Sequence, residues 1–256
     1  MKNAKVVIAL PAYNAAKTLL LTLKEIPSEF QENIILVDDA SQDNTVSIAI
    51  EAGLKVFQHE TNQGYGANQK TCYKEALALG ADIIIMLHPD HQYDARVIPD
   101  LAFPILKGEA DAVFGSRMLG GHPMEGGMPR YKYTANVGLT ALANLIYGRY
   151  LTEIHSGFRA YSRKYLQTVR FYDNSDDFIF DTEIIAQGMA CNLFFKEVAI
   201  ETRYFPEASS INFRRSVVYG FGILYVLFRF ALHKVGWWKN PKFFPQEKKA
   251  TNDGRF

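Results

Sequence analysis

The stretch HPDHQ (88–92) puts two imidazoles, a carboxylate and an amide within five residues, directly after the apolar run IIIML (83–87). A hard divalent cation is typically held by one or two carboxylates plus substrate phosphates, and it keeps several of its waters. Asp90 and the amide oxygen of Gln92 could supply such a half-site for Mg2+. His88 adds a nitrogen ligand, which suits Mn2+ better. The competing reading makes His88 and His91 surface turn residues around a rigid Pro89.

Other polar groups recur at comparable places. VDDASQDNT (37–45) closes an apolar run with Asp38 and Asp39, which repel each other unless they bind something. Carboxylates at such strand ends accept hydrogen bonds from a ribose or a base. Ser41, Asp43 and Asn44 equally fit the capping of a following helix. NQGYGANQ (62–69) sets Gly64 and Gly66 at a helix start, where they allow either close backbone approach to a ligand or a plain tight turn. GSR (115–117) offers Arg117 as a fork for phosphate oxygens or as the partner of a nearby acid, and Arg130 and Lys132 follow. FIFDTEII (178–185) carries Asp181 and Glu183, candidate general bases or simply acids on a solvated helix face. Their i, i+2 spacing points them to different sides.

These groups need a scaffold. The short apolar runs 6–10, 34–38, 54–58, 83–87 and 111–115 alternate with helix-length segments at 14–26, 43–53, 64–80 and 94–108. The alternation predicts an α/β fold with a mostly parallel sheet covered on both faces. Ligands in such sheets bind beyond the carboxyl ends of the strands, where all five polar clusters fall. The glycine- and proline-rich stretch 118–130 predicts a loop, and 131–148 a helix.

Composition narrows the function. The chain has 256 residues, 48% of them hydrophobic, and its 28 basic residues nearly balance 27 acidic ones, so there is no global field for nucleic acid. Two cysteines without a CxxC spacing suit a reducing compartment, and the N-terminal apolar run is too short for a signal peptide. The expected location is cytoplasmic. Residues 211–240 mix aromatic and aliphatic residues with Arg214, Arg215, Arg229, Lys234, Trp237 and Trp238. That composition fits a helix lying in a membrane interface, which would make the protein peripheral, or a buried or dimer-forming helix that would give a homo-oligomer.

Taken in order, PAYNAAKTL, ILVDDASQDNT, NQGYGANQKTCYKEAL, MLHPDHQYDA, GSR, SGFRAYS and FDTEII resemble the family 2 glycosyltransferases of the GT-A fold, in the branch of polyprenyl-phosphate sugar transferases. The resemblance covers residues 5–212. It implies a GT-A domain over 1–212; composition adds an amphipathic helix over 213–238 and a polar, frayed tail over 239–256. The resemblance further implies a nucleotide seat formed by Pro11, Ala12, Tyr13, Asn14, Asp38, Asp39, Asp43 and Gly66. Asp90 and Gln92, with His88 in place of the family's first acid, would hold Mg2+ or Mn2+. Arg117 and Arg130 would approach an acceptor phosphate, while Glu153 replaces a family acid and Ser210 an expected lysine.

The expected reaction moves a sugar from a nucleotide-sugar donor to a lipid phosphate. Such an acceptor is already largely ionised at neutral pH, with a second pKa near ~6, and needs no base. A saccharide hydroxyl would need one, with Glu183 favoured over Asp181. A nucleotidyltransferase is disfavoured because no lysine- and glycine-rich phosphate loop precedes the first helix. A non-catalytic nucleotide-binding protein is the remaining alternative.

Overall fold

The computed structural model describes residues 4–120, 123–203 and 213–246. Seven strands form one sheet: β1 (Val6–Ala12), β2 (Ile34–Asp38), β3 (Lys55–Gln58), β4 (Ile83–Met86), β5 (Ala112–Ser116), β6 (Arg159–Ser162) and β7 (Phe195–Ala199), in the order β3-β2-β1-β4-β6-β5-β7. The five expected runs all appear as strands. Their continuous apolar character has the expected cause, because successive side chains alternate between two covered faces. Val7, Ala9, Ile35, Val37, Ile84 and Met86 pack with α3 (Tyr65–Ala78), α5 (Arg130–Tyr147), α6 (Arg163–Thr168), α7 (Phe180–Ala190) and α8 (Phe213–Lys234). Ile8, Leu10, Leu36, Ile83 and Ile85 pack with α1 (Leu19–Glu25), α2 (Thr45–Glu51) and α4 (Ile98–Leu106).

Among the described strands only β6 runs against its neighbours, β4 and β5. The cause lies in the segment before it. The first turns of α5 and the residues after it both stay at the carboxyl edge, where Thr152 Oγ1 is 2.6 Å from Ser116 Oγ at the end of β5. The chain therefore re-enters the sheet from the edge it left, and an antiparallel strand is the only direction open to it. This reversal puts Arg159, the first residue of β6, at the carboxyl edge beside β4.

Strand order reverses between β1 and β4, which pair with each other and have their other partners on opposite sides. A crevice opens there. Leu87 N donates to Ala9 O (3.1 Å) as the last link between the two strands, and the missing N–H of Pro11 faces this same side, beyond the end of the pairing.

Two expectations change at the C-terminal end. α8 stops at Lys234, ahead of Gly236 at φ +80, rather than at 238. The segment expected to fray is docked as far as Gln246: Phe243 is buried, Lys242 bonds Glu183, and Gln246 N donates to Thr168 O (2.7 Å). Residues 247–256 and Ser210 lie outside the described residues.

Candidate active site

A cavity of about 680 Å3 opens over the carboxyl ends of β1 and β4, with α5 and α8 forming its outer wall. Three strand-end residues near it adopt left-handed backbone without being glycine: Asn14 (φ 53), Ala40 (φ 61) and His91 (φ 57). Such conformations persist only where surrounding contacts over-determine them, and they cluster at functional sites. The contacts here are visible. Asn14 N donates to Ser41 Oγ (2.8 Å), Gln42 N donates to Asn14 Oδ1 (2.8 Å), and Ala16 N donates to Asp43 Oδ2 (3.1 Å), so the β1 and β2 loops are stitched together. Burial works against the Asp43 charge, but hydrogen bonds from Thr45 and Ala16 outweigh it and hold the carboxyl below its ordinary range.

The acid pair at the end of β2 is compensated from within. Asp39 accepts from Gln63 N (2.8 Å) and Gly64 N (2.9 Å) and bonds His59 Nδ1 (2.7 Å), so it shapes the loop that leads into α3. Asp38 is fully buried; its Oδ2 accepts from Ser41 N (3.0 Å), and its Oδ1 has no hydrogen-bond partner. Of the eight residues expected at a nucleotide, Tyr13 lines the cavity. Pro11 and Ala12 are buried in β1.

Gly66 makes the close backbone approach expected of it, but to the chain itself. Its nitrogen donates to Asp176 O (2.7 Å), and an added Cβ would lie 2.4 Å from Ser175 O and 2.9 Å from Phe180 Cβ. The glycine lets α3 touch the segment leading into α7, so the close approach it permits is to the chain itself.

Asp90, Gln92 and His88 reach the cavity together. Gln92 N donates to Asp90 Oδ1 (3.1 Å), which closes the turn after β4. His91 points elsewhere, toward Arg203 Nη1 (3.1 Å) and Glu25. His88 is built into the wall: its ring stacks on Tyr65 at 5.5 Å, and its Nε2 lies 3.3 Å from the Tyr65 hydroxyl. Burial lowers the His88 pKa, and the charges of Asp90 and Asp181 oppose that shift. Among the described residues no group of three or more His, Cys, Asp or Glu forms a preassembled metal cage. The oxygen donors of Asp90 and Gln92 fit the other kind of site, one completed by substrate phosphates and water.

The two candidate bases separate as their spacing predicts, but to opposite effect. Asp181 lines the cavity, while Glu183 lies on the far side of α7, beside a small void bordered by Asn174, Gln187 and Lys242. Glu183 accepts from Ser175 N (2.6 Å) and from Lys242 Nζ (2.8 Å). That placement removes it from the cavity and reverses the preference for Glu183 over Asp181. Neither acid sits on a solvated face, because α7 is buried from Phe180 to Met189. Asp181 is itself engaged on both oxygens. It accepts from Tyr65 Oη (2.9 Å) and Gln69 Nε2 (3.1 Å), and it pairs with Arg159 Nη1 (3.1 Å).

Arg117 lines the cavity while Glu153, 1% exposed, grips it through Nε (2.9 Å), Nη2 and the backbone N–H (2.8 Å). This arginine therefore has the acidic partner of one reading, and it also lines the cavity. Arg130 is exposed, and Lys132, two residues further along α5, lines the cavity in its place. Burial, followed by the Arg117 charge, lowers the Lys132 pKa. Sequence reasoning missed Tyr65, Tyr93, His155, Phe178 and Tyr219, all on the cavity wall. Tyr65 stood between the two glycines, and His155 just before SGFR, where either was open to notice.

Residues 7–170 match the sequence profile described as Glycosyl transferase family 2. The chain belongs to that family. This family 2 glycosyltransferase is 30% identical over 255 residues to the UDP-N-acetylglucosamine–dolichyl-phosphate N-acetylglucosaminyltransferase of Methanococcus voltae, covering 92% of this chain and 99% of that one. It is 27% identical over 171 residues to the undecaprenyl-phosphate mannosyltransferase of Micrococcus luteus, covering 64% of this chain and 69% of that one. Among solved structures, glucosyl-3-phosphoglycerate synthase from Mycobacterium tuberculosis, in complex with Mn2+, UDP and glucosyl-3-phosphoglycerate, superposes with a TM-score of 0.68 at 18% identity, over 90% of this chain and 80% of that one. The shared architecture is the GT-A-like fold.

Proposed function

We propose that this glycosyltransferase moves a sugar from a nucleotide-sugar donor to a polyprenyl-phosphate acceptor at a membrane surface, with Mg2+ or Mn2+ at Asp90 and Gln92. The observation that carries the choice of acceptor is the state of the two α7 carboxylates. A hydroxyl nucleophile needs a positioned base. Asp181 is filled by Tyr65, Gln69 and Arg159, and Glu183 is turned away and held by Lys242. A phosphate acceptor arrives already ionised and makes no such demand.

The donor's nucleotide occupies the Tyr13 side, flanked by the loops of Asn14, Asp38 and Asp43. A bound cation would neutralise the charge that develops on the leaving diphosphate. Arg117, fixed by Glu153, and Lys132 line the same cavity and offer the acceptor phosphate two cations.

The outer face of α8 supports the lipid partner. Its Arg214–Lys234 stretch is long and apolar enough to cross a membrane by length and composition, yet its N-terminal part lines the cavity. Val218, Phe221, Tyr225 and Phe228 are exposed on it, with Leu145 of α5 and Trp237 beyond its end. Lys234 Nζ donates to Ile146 O (3.0 Å), so the ends of α5 and α8 are joined. An apolar face beside a phosphate site suits an acceptor whose tail stays in lipid.

The test is incubation with a panel of radiolabelled nucleotide sugars and a short polyprenyl phosphate, with Mn2+, with Mg2+ and with chelator, followed by organic extraction. Metal-dependent label in the organic phase for one donor is the expected result. Label that stays aqueous for every donor contradicts the reading.

A further inference from the structure

His155 is a cavity residue that the reaction proposed above leaves without a task. It precedes the turn that leads into β6, and its ring lies edge-on to Tyr219 of α8, with centroids 6.2 Å apart. Both ring nitrogens are buried and neither has a hydrogen-bond partner. A neutral imidazole carries one donor and one acceptor, and leaving such a buried group unsatisfied costs about 1–3 kcal/mol. Native chains leave few polar atoms in this condition, and a missing ligand is one reason for an exception.

The surroundings say which ligand. Burial, then the charges of Arg117 and Arg159, push the His155 pKa down to about 3, so at neutral pH the ring is uncharged and sits in a positive field. A neutral N–H in that field serves an anion. Arg117 and Lys132 line the same cavity and are the natural co-ligands of a phosphate.

We infer that His155 donates a ring N–H to a phosphate oxygen bound in the cavity alongside Arg117 and Lys132, which makes it a binding residue of the proposed transfer reaction. The inference rests on that reading for the presence of a phosphate. Donation to it requires the ring to turn about its broad terminal torsion so that a nitrogen faces the cavity. The acceptor's monophosphate and the donor's diphosphate present the same oxygens, and the experiment separates them.

The full chain, with its histidine rings labelled with 15N, is titrated with farnesyl phosphate and separately with UDP and with GDP; His155→Ala and His155→Gln are titrated in parallel. The His155 ring resonances are expected to move on adding farnesyl phosphate. His155→Ala should weaken its binding about tenfold, while His155→Gln, which keeps an N–H donor, should recover most of the loss. The same pattern with a nucleotide alone assigns the oxygen to the donor and retains the binding role. Unmoved ring resonances, together with unchanged affinities of both variants for every probe, overturn the inference. Failure of the proposed function reads differently: farnesyl phosphate binds through His155, yet no sugar reaches it from any donor.

Discussion

Arg159 and Asp181 form an ion pair 3.1 Å long whose side chains are only 2% and 9% exposed, one from the single antiparallel strand and the other from the first turn of α7. The pair ties the reversed strand to the helix under the cavity, and Tyr65 and Gln69 of α3 complete the shell around the carboxylate. Removing one partner of a buried pair leaves an uncompensated charge, at a cost of about 3–5 kcal/mol. Asp181→Ala should therefore lose stability on that scale, as read by urea denaturation. Asp181→Asn, assayed below its unfolding transition, should retain transfer to lipid phosphate to within about tenfold. A general base would show a loss of about 10²–10⁴, and a loss of that size in folded enzyme would restore Asp181 as a base.

Asp90 is expected to behave in the opposite way. It lies at the cavity, and its Oδ1 accepts from Gln92 N to close the turn after β4. Asp90→Ala, assayed below its unfolding transition, should abolish transfer, by at least about a hundredfold if metal neutralisation is worth several kcal/mol. Chelation should match it, and added Mn2+ should rescue the chelated parent but not the variant. Near-normal activity of Asp90→Ala would reject the metal role.

Gly157 is required for a steric reason that can be checked directly. An added Cβ would lie 2.9 Å from His88 Nε2 and 3.0 Å from its Cδ2, and that ring is backed by Tyr65. Overpacking of this kind costs typically 1–3 kcal/mol. Gly157→Ala should lose about that much in chemical denaturation, and Gly157→Ala combined with His88→Ala should lose less than the sum of the two single changes. Strict additivity would show that the contact is not the cause.

The outer face of α8 should govern lipid binding without touching the cavity. Val218 and Phe221 are 71% and 69% exposed. Replacing both with glutamate should reduce co-sedimentation with anionic phospholipid vesicles at least about tenfold, because apolar burial and electrostatic attraction both weaken. Binding of UDP and GDP should be unchanged. Unaltered vesicle binding together with a shift from dimer to monomer in ultracentrifugation would assign the face to self-association instead.

Much of this was legible in the sequence because buried parallel strands announce themselves as apolar runs and their polar ends follow directly. HPDHQ, GSR and PAYN all lie at carboxyl ends on that logic alone. β6 was not legible as a strand: RAYS has four residues, begins with an arginine and runs backwards, and its direction depends on where α5 delivers the chain. The roles of Asp181 and Glu183 were hidden for a related reason. Their spacing predicts divergence, but the deciding partners, Tyr65 and Lys242, stand 116 and 59 positions away. A glycine before a helix reads the same whether a ligand or the chain itself fills the space, so Gly66 could not be assigned until Ser175 and Phe180 were seen against it.

The proposed nucleophile is a phosphate oxygen that needs no base. With a donor that labels polyprenyl phosphate, the decisive measurement is the initial rate on polyprenyl phosphate against the rate on the matching polyprenol, which ends in a hydroxyl. Transfer to the phosphate and none above background to the alcohol is expected. Comparable rates on the two acceptors would contradict it.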